Sequence, residues 1–262
     1  MKTGRLVLGR GFTLIEVMVA FAVFLLLVLL VTQLITETSQ NTVRENNKMD
    51  ALGDTRQALD RFGLDWAARV RRADVDWQVS QGADNDAVTL LSQVPAYEGA
   101  RKLAAVSYRI NADTLVLERG TLGYDWDGAG AKLLFSTNAT VPNVPAGASY
   151  ETLSPTIFRM SLSFLDKQSG RWTNAPPGAL NGEELGGVVV SVAALDERNR
   201  GLLSNTQLKA LSAALGDPVG TNNPLTVWTE KLNDPGFASG LGLPLSAVGA
   251  VRLHQRIFYR EE

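Results

Sequence analysis

Two shortages in the 262-residue sequence exclude whole classes of functional site: it contains no cysteine and only one histidine. Without cysteine the chain can form no disulfide, no thiolate metal centre and no cysteine nucleophile. His254 would have to serve any Ser-His-Asp triad or imidazole metal site alone, and its alternating, strand-like segment is typical of a structural or surface residue. We therefore expect a protein that is not an enzyme and that carries no cofactor.

An excess of charge of either sign is also missing. The chain has 25 basic and 27 acidic residues, which gives a net charge of -2. Such a balance produces no overall basic field that would attract a phosphate backbone, so we expect no nucleic-acid partner. The hydrophobic share of 45% and the charged share of 20% are ordinary for globular proteins and are enough to form a sizeable core.

What the sequence does have is a long apolar run near its N-terminus. No polar side chain occurs from Val17 to Val31, and tolerable flanks extend the segment to residues 12–35. As a helix it would be about 36 Å long, enough to cross a hydrocarbon core of about 30 Å. Lys2, Arg5 and Arg10 precede it without any acid, so the positive-inside rule places the N-terminus in the cytoplasm and the rest of the chain outside it.

Two simple interpretations of this segment leave something unexplained. A cleaved secretory signal would have a shorter apolar core and a small-residue cleavage site after it. An uncleaved signal anchor explains the span and its orientation, but it gives no reason for Glu16. A carboxylate in a membrane-spanning helix is costly, so it calls for a partner.

A third interpretation comes from resemblance. The run RGFTLIEVMVAF, from Arg10 to Phe21, closely resembles the N-terminus of type IV prepilins and pseudopilins. In that family a short basic leader ends in Gly, and Phe and then Glu occupy the first and fifth mature positions. The resemblance implies that prepilin peptidase cuts between Gly11 and Phe12 and methylates the new amino group of Phe12. It makes Glu16 the fifth mature residue.

The chemistry of these residues agrees with that interpretation. Gly11 lets a peptidase approach the scissile backbone closely. In a low-dielectric layer the new ammonium group of Phe12 and the carboxylate of Glu16 attract each other strongly, either within one helix end or between neighbouring subunits. We therefore interpret Glu16 as a residue that sets the assembly register.

Beyond the membrane-length segment the sequence predicts an α+β protein. Apolar residues recur at helical spacing in residues 36–74, so the long N-terminal helix should continue as an amphipathic one. The apolar face consists of Leu52, Ala58, Leu59, Phe62, Trp66 and Val70, and the solvent face of Arg56, Asp60, Arg61 and Arg69, with Asp65 and Arg69 as an i, i+4 pair. This helix should pack on a mainly antiparallel β-sheet head domain, which is the pilin-like layout.

The head, residues 75–262, alternates with the period of strands. We predict strands in residues 86–94, 101–110, 114–120, 157–166, 186–195 and 250–260, a hairpin turn at residues 111–113 and a helix in residues 205–217. The order of these segments is similar to that of J-type minor pseudopilins of type II secretion systems. The sequence departs from that pattern at about residues 199–249, which form an insertion.

Two Gly-containing loops place acids two residues apart, in residues 82–87 and 123–130. Asp125 and Asp127 in the second loop are weak candidates for calcium ligands, since hard cations prefer carboxylate oxygens. Neither loop completes an EF-hand pattern, and solvated turns explain the same residues.

Taken with the resemblance, these observations predict a minor pseudopilin or pilin-like structural subunit. Its segments would be a leader (1–11), a single transmembrane helix (12–35), the amphipathic continuation (36–74) and the periplasmic head (75–262). The implied partners are prepilin peptidase, other pilins or pseudopilins, an inner-membrane assembly platform and the lipid of the bacterial inner membrane. The alternative is an uncleaved, signal-anchored membrane protein with an extracytoplasmic binding or enzymatic domain.

Overall fold

The computed structural model describes residues 13–71, 75–81, 85–97, 103–123, 139–140, 144, 150–175, 185–217 and 220–260. The chain divides into two compact units between Asn46 and Asn47. Helix α1, Leu14–Ala67, begins in the first unit and ends in the second.

The first unit contains a helix that is long and apolar enough to cross a membrane. This candidate span is Leu14–Ser39, with a mean hydropathy of 3.1. Its threonines do not leave their hydroxyl groups unpaired: Thr32 donates to the carbonyl of Val28, and Thr36 donates to that of Thr32, both at 2.8 Å. Such back-bonding to the preceding turn lets a hydroxyl lie in an apolar setting without an unsatisfied donor.

The second unit contains eleven strands and five further helices among the described residues. The strands are β1 (Val75–Asp76), β2 (Gln78–Ser80), β3 (Ala87–Ser92), β4 (Ala104–Ile110), β5 (Leu117–Gly123), β6 (Ala139–Thr140), β7 (Tyr150–Ser154), β8 (Ile157–Asp166), β9 (Trp172–Thr173), β10 (Leu185–Ala194) and β11 (Arg252–Tyr259). The helices are α2 (Glu197–Arg200), α3 (Asn205–Leu215), α4 (Pro224–Asn233), α5 (Pro235–Gly240) and α6 (Leu245–Ala250).

The strands form two antiparallel sheets and one short parallel pair. The five-stranded sheet has the order β2-β3-β4-β5-β7, and the four-stranded sheet has the order β11-β10-β8-β9. Only β1 and β6 pair in parallel among the described strands. The predicted fold class is therefore confirmed: a long N-terminal helix followed by mainly antiparallel sheets.

The second half of α1 packs on the head through the predicted apolar face. Ala58, Leu59, Phe62 and Trp66 are buried. The Phe62 ring lies 5.0 Å from that of Tyr108 on β4 and 4.9 Å from that of Phe258 on β11, so it joins both sheets. Burying one such aromatic side chain stabilises the fold by about 1.5–3 kcal/mol.

Gly63 allows α1 to approach β11 closely. A Cβ atom at this position would lie 3.0 Å from the ring of Phe258, tighter than ordinary van der Waals contact. The neighbouring indole of Trp66 donates to the carbonyl oxygen of Tyr259 at 3.2 Å. The glycine that weakens the helix in isolation therefore permits its docking.

The predicted helical continuation to residue 74 is too long, because α1 ends at Ala67. The backbone beyond it turns toward β3: the Val70 amide donates to the Leu91 carbonyl and the Gln93 amide to that of Ala68, both at 2.8 Å. These bonds satisfy groups that the helix would otherwise have used, so pairing with the sheet ends the helix.

The predicted surface pair of Asp65 and Arg69 is also wrong. Both residues are buried, and Arg69 lies beyond the helix end. The Arg69 guanidinium stacks 3.7 Å over the Trp66 ring. The Asp65 carboxylate instead accepts hydrogen bonds from Arg119 Nε at 2.7 Å and from the hydroxyl of Tyr108.

The insertion at residues 199–249 contains four helices, α3 to α6, whereas the sequence predicts only one helix there. That helix, α3, is confirmed and begins with a capping box between Ser204 and Gln207. Trp228 on α4 is fully buried, and its indole donates to the carbonyl oxygen of Gly216 at 2.8 Å. Lys231 donates to the last two carbonyl groups of α3, so α4 caps the C-terminus of its neighbour.

Candidate functional site

The first turn of α1 holds the candidate assembly residue in a local hydrogen-bond arrangement. The amide and the hydroxyl of Thr13 each donate to Glu16 Oε2 at 3.0 Å. The Glu16 amide in turn donates to the Thr13 hydroxyl at 3.3 Å. This reciprocal pattern is a capping box, which satisfies donors that a helix N-terminus leaves free.

The capping box gives Glu16 a structural role that the sequence analysis missed. The signal was present, because Thr followed three residues later by Glu before an apolar run is the pattern of a capped N-terminus. A carboxylate at this position also interacts favourably with the helix dipole. Since a carboxylate has about four acceptor sites, Glu16 can hold Thr13 and still accept a bond from an amino group.

Two of the predicted site residues, Gly11 and Phe12, lie outside the described residues. The structure does describe the surface of the helix that follows these two residues in the chain. Every side chain from Leu14 to Ile35 is exposed, from 80% for Leu14 to 46% for Val28 among the large apolar residues. A helix that is apolar on all sides needs lipid or other helices around it.

The head contains a buried ionic network where the sequence suggested a surface. Asp65, Tyr108 and Arg119 are at most 2% exposed, and the carboxylate joins α1 to β4 and β5. Burial, followed by the charge of Asp65, raises the pKa of Tyr108. Burial opposes the charge of Arg119, but the hydrogen bond and charge of Asp65 outweigh it and raise the pKa of Arg119.

A second buried carboxylate, Asp86, lies in the loop before β3. Its Oδ2 accepts the amide of Leu162 on β8 at 2.6 Å. Burial and then the charge of Asp217 raise its pKa to about 7, although the Leu162 amide and Arg159 favour the ionised form. Asp217 itself pairs with the fully buried Arg159 at 2.6 Å. Asp86, at the described end of the 82–87 loop, therefore fixes this loop to β8 through a hydrogen bond.

The structure gives little support to the other metal and catalytic candidates. Asp125 and Asp127 lie outside the described residues. Across the parts of the chain that the structure does describe, no group of three or more His, Asp or Glu side chains could hold a metal ion. His254 is half-buried on β11, opposite Val192. Burial, and then the charges of Arg56 and Arg252, lower its pKa.

Comparison with known proteins identifies the N-terminal segment. A family model described as a prokaryotic N-terminal methylation motif matches residues 9–32, which include Gly11, Phe12 and Glu16. No curated protein matches the chain. Among solved structures, a type IV-like pilin from Thermus thermophilus is similar at 12% identity and a TM-score of 0.40, covering 79% of this chain and 93% of that one.

The motif match lies where the capping box and the candidate span begin. The long apolar helix that carries it leads into antiparallel sheets, as the resemblance implied. The chain therefore carries a prokaryotic N-terminal methylation motif at the start of its long apolar helix.

Proposed function

We propose that the chain is a structural subunit that is trimmed between Gly11 and Phe12, methylated on Phe12 and assembled with other pilin-like subunits. The observation that carries this proposal is the position of Glu16. Its carboxylate lies in the first turn of α1, at the start of the exposed apolar span and within the matched methylation motif. Prepilin peptidase would perform the trimming. An inner-membrane platform would assemble the product into a pseudopilus or a pilus tip, with the head in the periplasm.

Electrostatics explains why such a subunit needs the carboxylate. Two unit charges 4 Å apart attract by about 1 kcal/mol in water and about 4 kcal/mol at an effective dielectric constant of 20. A subunit whose Phe12 ammonium group meets Glu16 of a neighbour is therefore favoured at one axial depth. The apolar side chains around the helix pack similarly at many depths, so they cannot set this register alone.

The finer assignment is to the minor pseudopilins of type II secretion systems. It rests on the order of the head segments in the sequence, and the helical insertion at residues 199–249 is the feature that distinguishes this head. A subunit of another pilus-like machine would share the trimming, the methylation and the role of Glu16.

The capping box favours one competing function. An uncleaved signal anchor could use Glu16 only to cap α1 through Thr13. Glutamine also serves at the third helical position of a capping box, so Glu16→Gln removes the charge and keeps the cap. Thr13→Val removes the hydroxyl of the cap and keeps the charge.

The test compares wild type, Glu16→Gln, Glu16→Leu and Thr13→Val at matched membrane levels. Intact mass of the wild-type chain extracted from membranes should begin at Phe12 and carry one additional methyl group. Cross-linking to partner pilin-like subunits should fall sharply in both Glu16 variants and less in Thr13→Val. An untrimmed wild-type chain, or a Gln variant that cross-links like wild type, would contradict the proposal.

A further inference from the structure

Three charged residues of the head form a cluster that the proposed trimming and assembly do not use. Asp86 precedes β3, Arg159 lies on β8, and Asp217 follows the C-cap of α3 in the helical insertion. Arg159 Nη2 donates to Asp217 Oδ1 at 2.6 Å, so this ion pair joins the insertion to the four-stranded sheet. The side chain of Arg159 is fully buried, whereas that of Asp217 is 27% exposed.

This cluster has one guanidinium group for two carboxyl groups. Among the described residues, Asp217 and Arg159 are the charged groups that act on the Asp86 carboxyl. Lys231 on α4 is a further cation at the end of α3, but it already donates to the last two carbonyl groups of that helix. One guanidinium group cannot fully compensate two carboxylates in the interior, where an uncompensated charge is costly.

Hydrogen bonding within the cluster is also incomplete. Arg159 Nε and Nη1 are buried and have no partner among the described residues, and the same is true of Asp86 Oδ1. The other carboxyl oxygen, Asp86 Oδ2, accepts the Leu162 amide. Buried donors and acceptors without partners cost free energy, and native structures keep few of them. The free donors of Arg159 and the free acceptor of Asp86 are complementary, so a direct bond between these side chains would satisfy both.

The protonation state of Asp86 decides which carboxyl group Arg159 pairs with. Burial, and then the charge of Asp217, raise the pKa of Asp86 to about 7. Below that pH Asp86 is mostly neutral, and Arg159 pairs with Asp217 alone. Above it, two carboxylates compete for one guanidinium group. Asp217 can turn to solvent and be hydrated, whereas Asp86 is 1% exposed and cannot. Since an unpaired carboxylate costs far more in the interior than in water, Asp86 should win this competition.

We infer that Arg159 moves from Asp217 to Asp86 when Asp86 ionises, and that this exchange releases the C-terminal end of α3 from the sheet. The ion pair is the strong polar contact at this place. The neighbouring hydrogen bond, from the Asn85 side chain to the Ser212 hydroxyl, is long at 3.4 Å and cannot replace it.

The released state is a local opening of α3 and not an unfolding of the insertion. Leu208 and Leu211, in the first two turns of α3, are buried and do not depend on the ion pair. The helix therefore stays docked through its apolar face while its last turn loosens. The inference goes beyond the proposed function, because it gives the head a response to pH near neutrality whether or not the chain is trimmed.

The absence of cysteine lets a spin label report this release in the full-length chain. Ala213→Cys places an α3-end label at an exposed position of the last turn, and Thr206→Cys places an α3-start label at an exposed position of the first turn. Continuous-wave EPR spectra of the chain in detergent micelles are recorded from pH 6 to pH 8. For the α3-end label the ratio of mobile to immobile signal should rise at least about tenfold, because the ionised fraction of Asp86 grows across this range. The α3-start label should not change.

Two substitutions separate the exchange from other titrations. Asp86→Asn cannot ionise, so the α3-end label should stay immobile across the whole pH range. Asp217→Asn removes the first partner of Arg159, so Arg159 should pair with Asp86 and the label should be mobile even at pH 6. His254, the single histidine, is unchanged in both variants, so its titration cannot produce these differences. Asp50→Asn, at an exposed position of α1, is the matched control and should behave like wild type.

Several outcomes overturn the inference. They are an α3-end label that does not respond to pH in the wild-type background, an equal response in Asp86→Asn, and a label that is immobile at pH 6 in Asp217→Asn. An equal rise at the α3-start label would also overturn it, because that result means general loosening of the helix. Circular dichroism checks the folding of each labelled variant, and if Asp86→Asn does not fold, Asp217→Asn still decides. None of these measurements involves trimming, so their failure leaves the proposed function intact, and an untrimmed chain leaves this inference intact.

Discussion

Replacing Asp86 by asparagine should remove a pH dependence that the structure builds into the head. Asp86 is 1% exposed, and its backbone amide donates to the carbonyl of Met160 at 3.2 Å while its Oδ2 accepts the amide of Leu162 at 2.6 Å. Asn85 adds a third bond by accepting the Met160 amide at 3.0 Å. Asparagine can still accept the Leu162 bond, but it cannot ionise.

The magnitude follows from the pKa of Asp86, which is raised from 3.8 to about 7, first by burial and then by Asp217. A raised folded-state pKa means that the protonated carboxyl stabilises the head fully below about pH 3.8. This contribution is lost as the pH rises through about 7. At about 1.4 kcal/mol per pH unit the whole effect is about 4 kcal/mol. Between pH 5 and 7 the loss amounts to about 2 kcal/mol, because the slope halves at the folded-state pKa.

The assay is urea unfolding of residues 41–262, followed by tryptophan fluorescence from pH 5 to pH 8. The wild-type free energy of unfolding should fall relative to that of Asp86→Asn by about 1.4 kcal/mol per pH unit up to about pH 6, more gently near pH 7, and then level off. Asp113→Asn is the matched control, because the Asp113 side chain is 96% exposed. Parallel pH profiles for wild type and Asp86→Asn would refute the reasoning.

Three further predictions concern the other features of the chain. Asp65→Ala should lower the free energy of unfolding by about 3–5 kcal/mol, because Arg119 then stays buried without its partner. Arg61→Ala, which removes the half-exposed partner 3.5 Å from Asp65, should cost less than about 1 kcal/mol, and equal losses would contradict a buried network. Residues 41–262 should be soluble and give a circular dichroism spectrum of mixed helix and sheet, whereas a purely helical spectrum would contradict the fold. Gly11→Leu should block trimming, measured by intact mass, while membrane insertion continues; persistent trimming would place the scissile bond elsewhere.

The strands of the head were predictable because their signal is local. The run from Ile157 to Asp166 is bounded by turn residues, and β8 occupies those same ten positions. The β4–β5 hairpin likewise follows from Asn111, whose side chain accepts the amides of Asp113 and Thr114 and so forms the turn, although β5 begins at Leu117 and not at Thr114 as predicted. In both cases the pattern and the turn chemistry agree, and agreement of this kind specifies structure.

The helices of the insertion were harder to predict because they are short. Helices of six to ten residues carry too few turns for apolar spacing to show. Their starts do carry a signal: Asn223 before Pro224 and Asp234 before Pro235 each place a capping side chain directly before a proline. Reading those pairs as helix starts would have found α4 and α5. It would not have found the buried Trp228, which depends on the packing of α4 against α3.

Two carboxylates show what sequence reasoning can single out and where it stops. Glu16 could be singled out because it lies in a contiguous motif, whose residues are neighbours in sequence. The partners of Asp65 lie 43 and 54 residues away, and spacing on one helix pointed to the wrong cation.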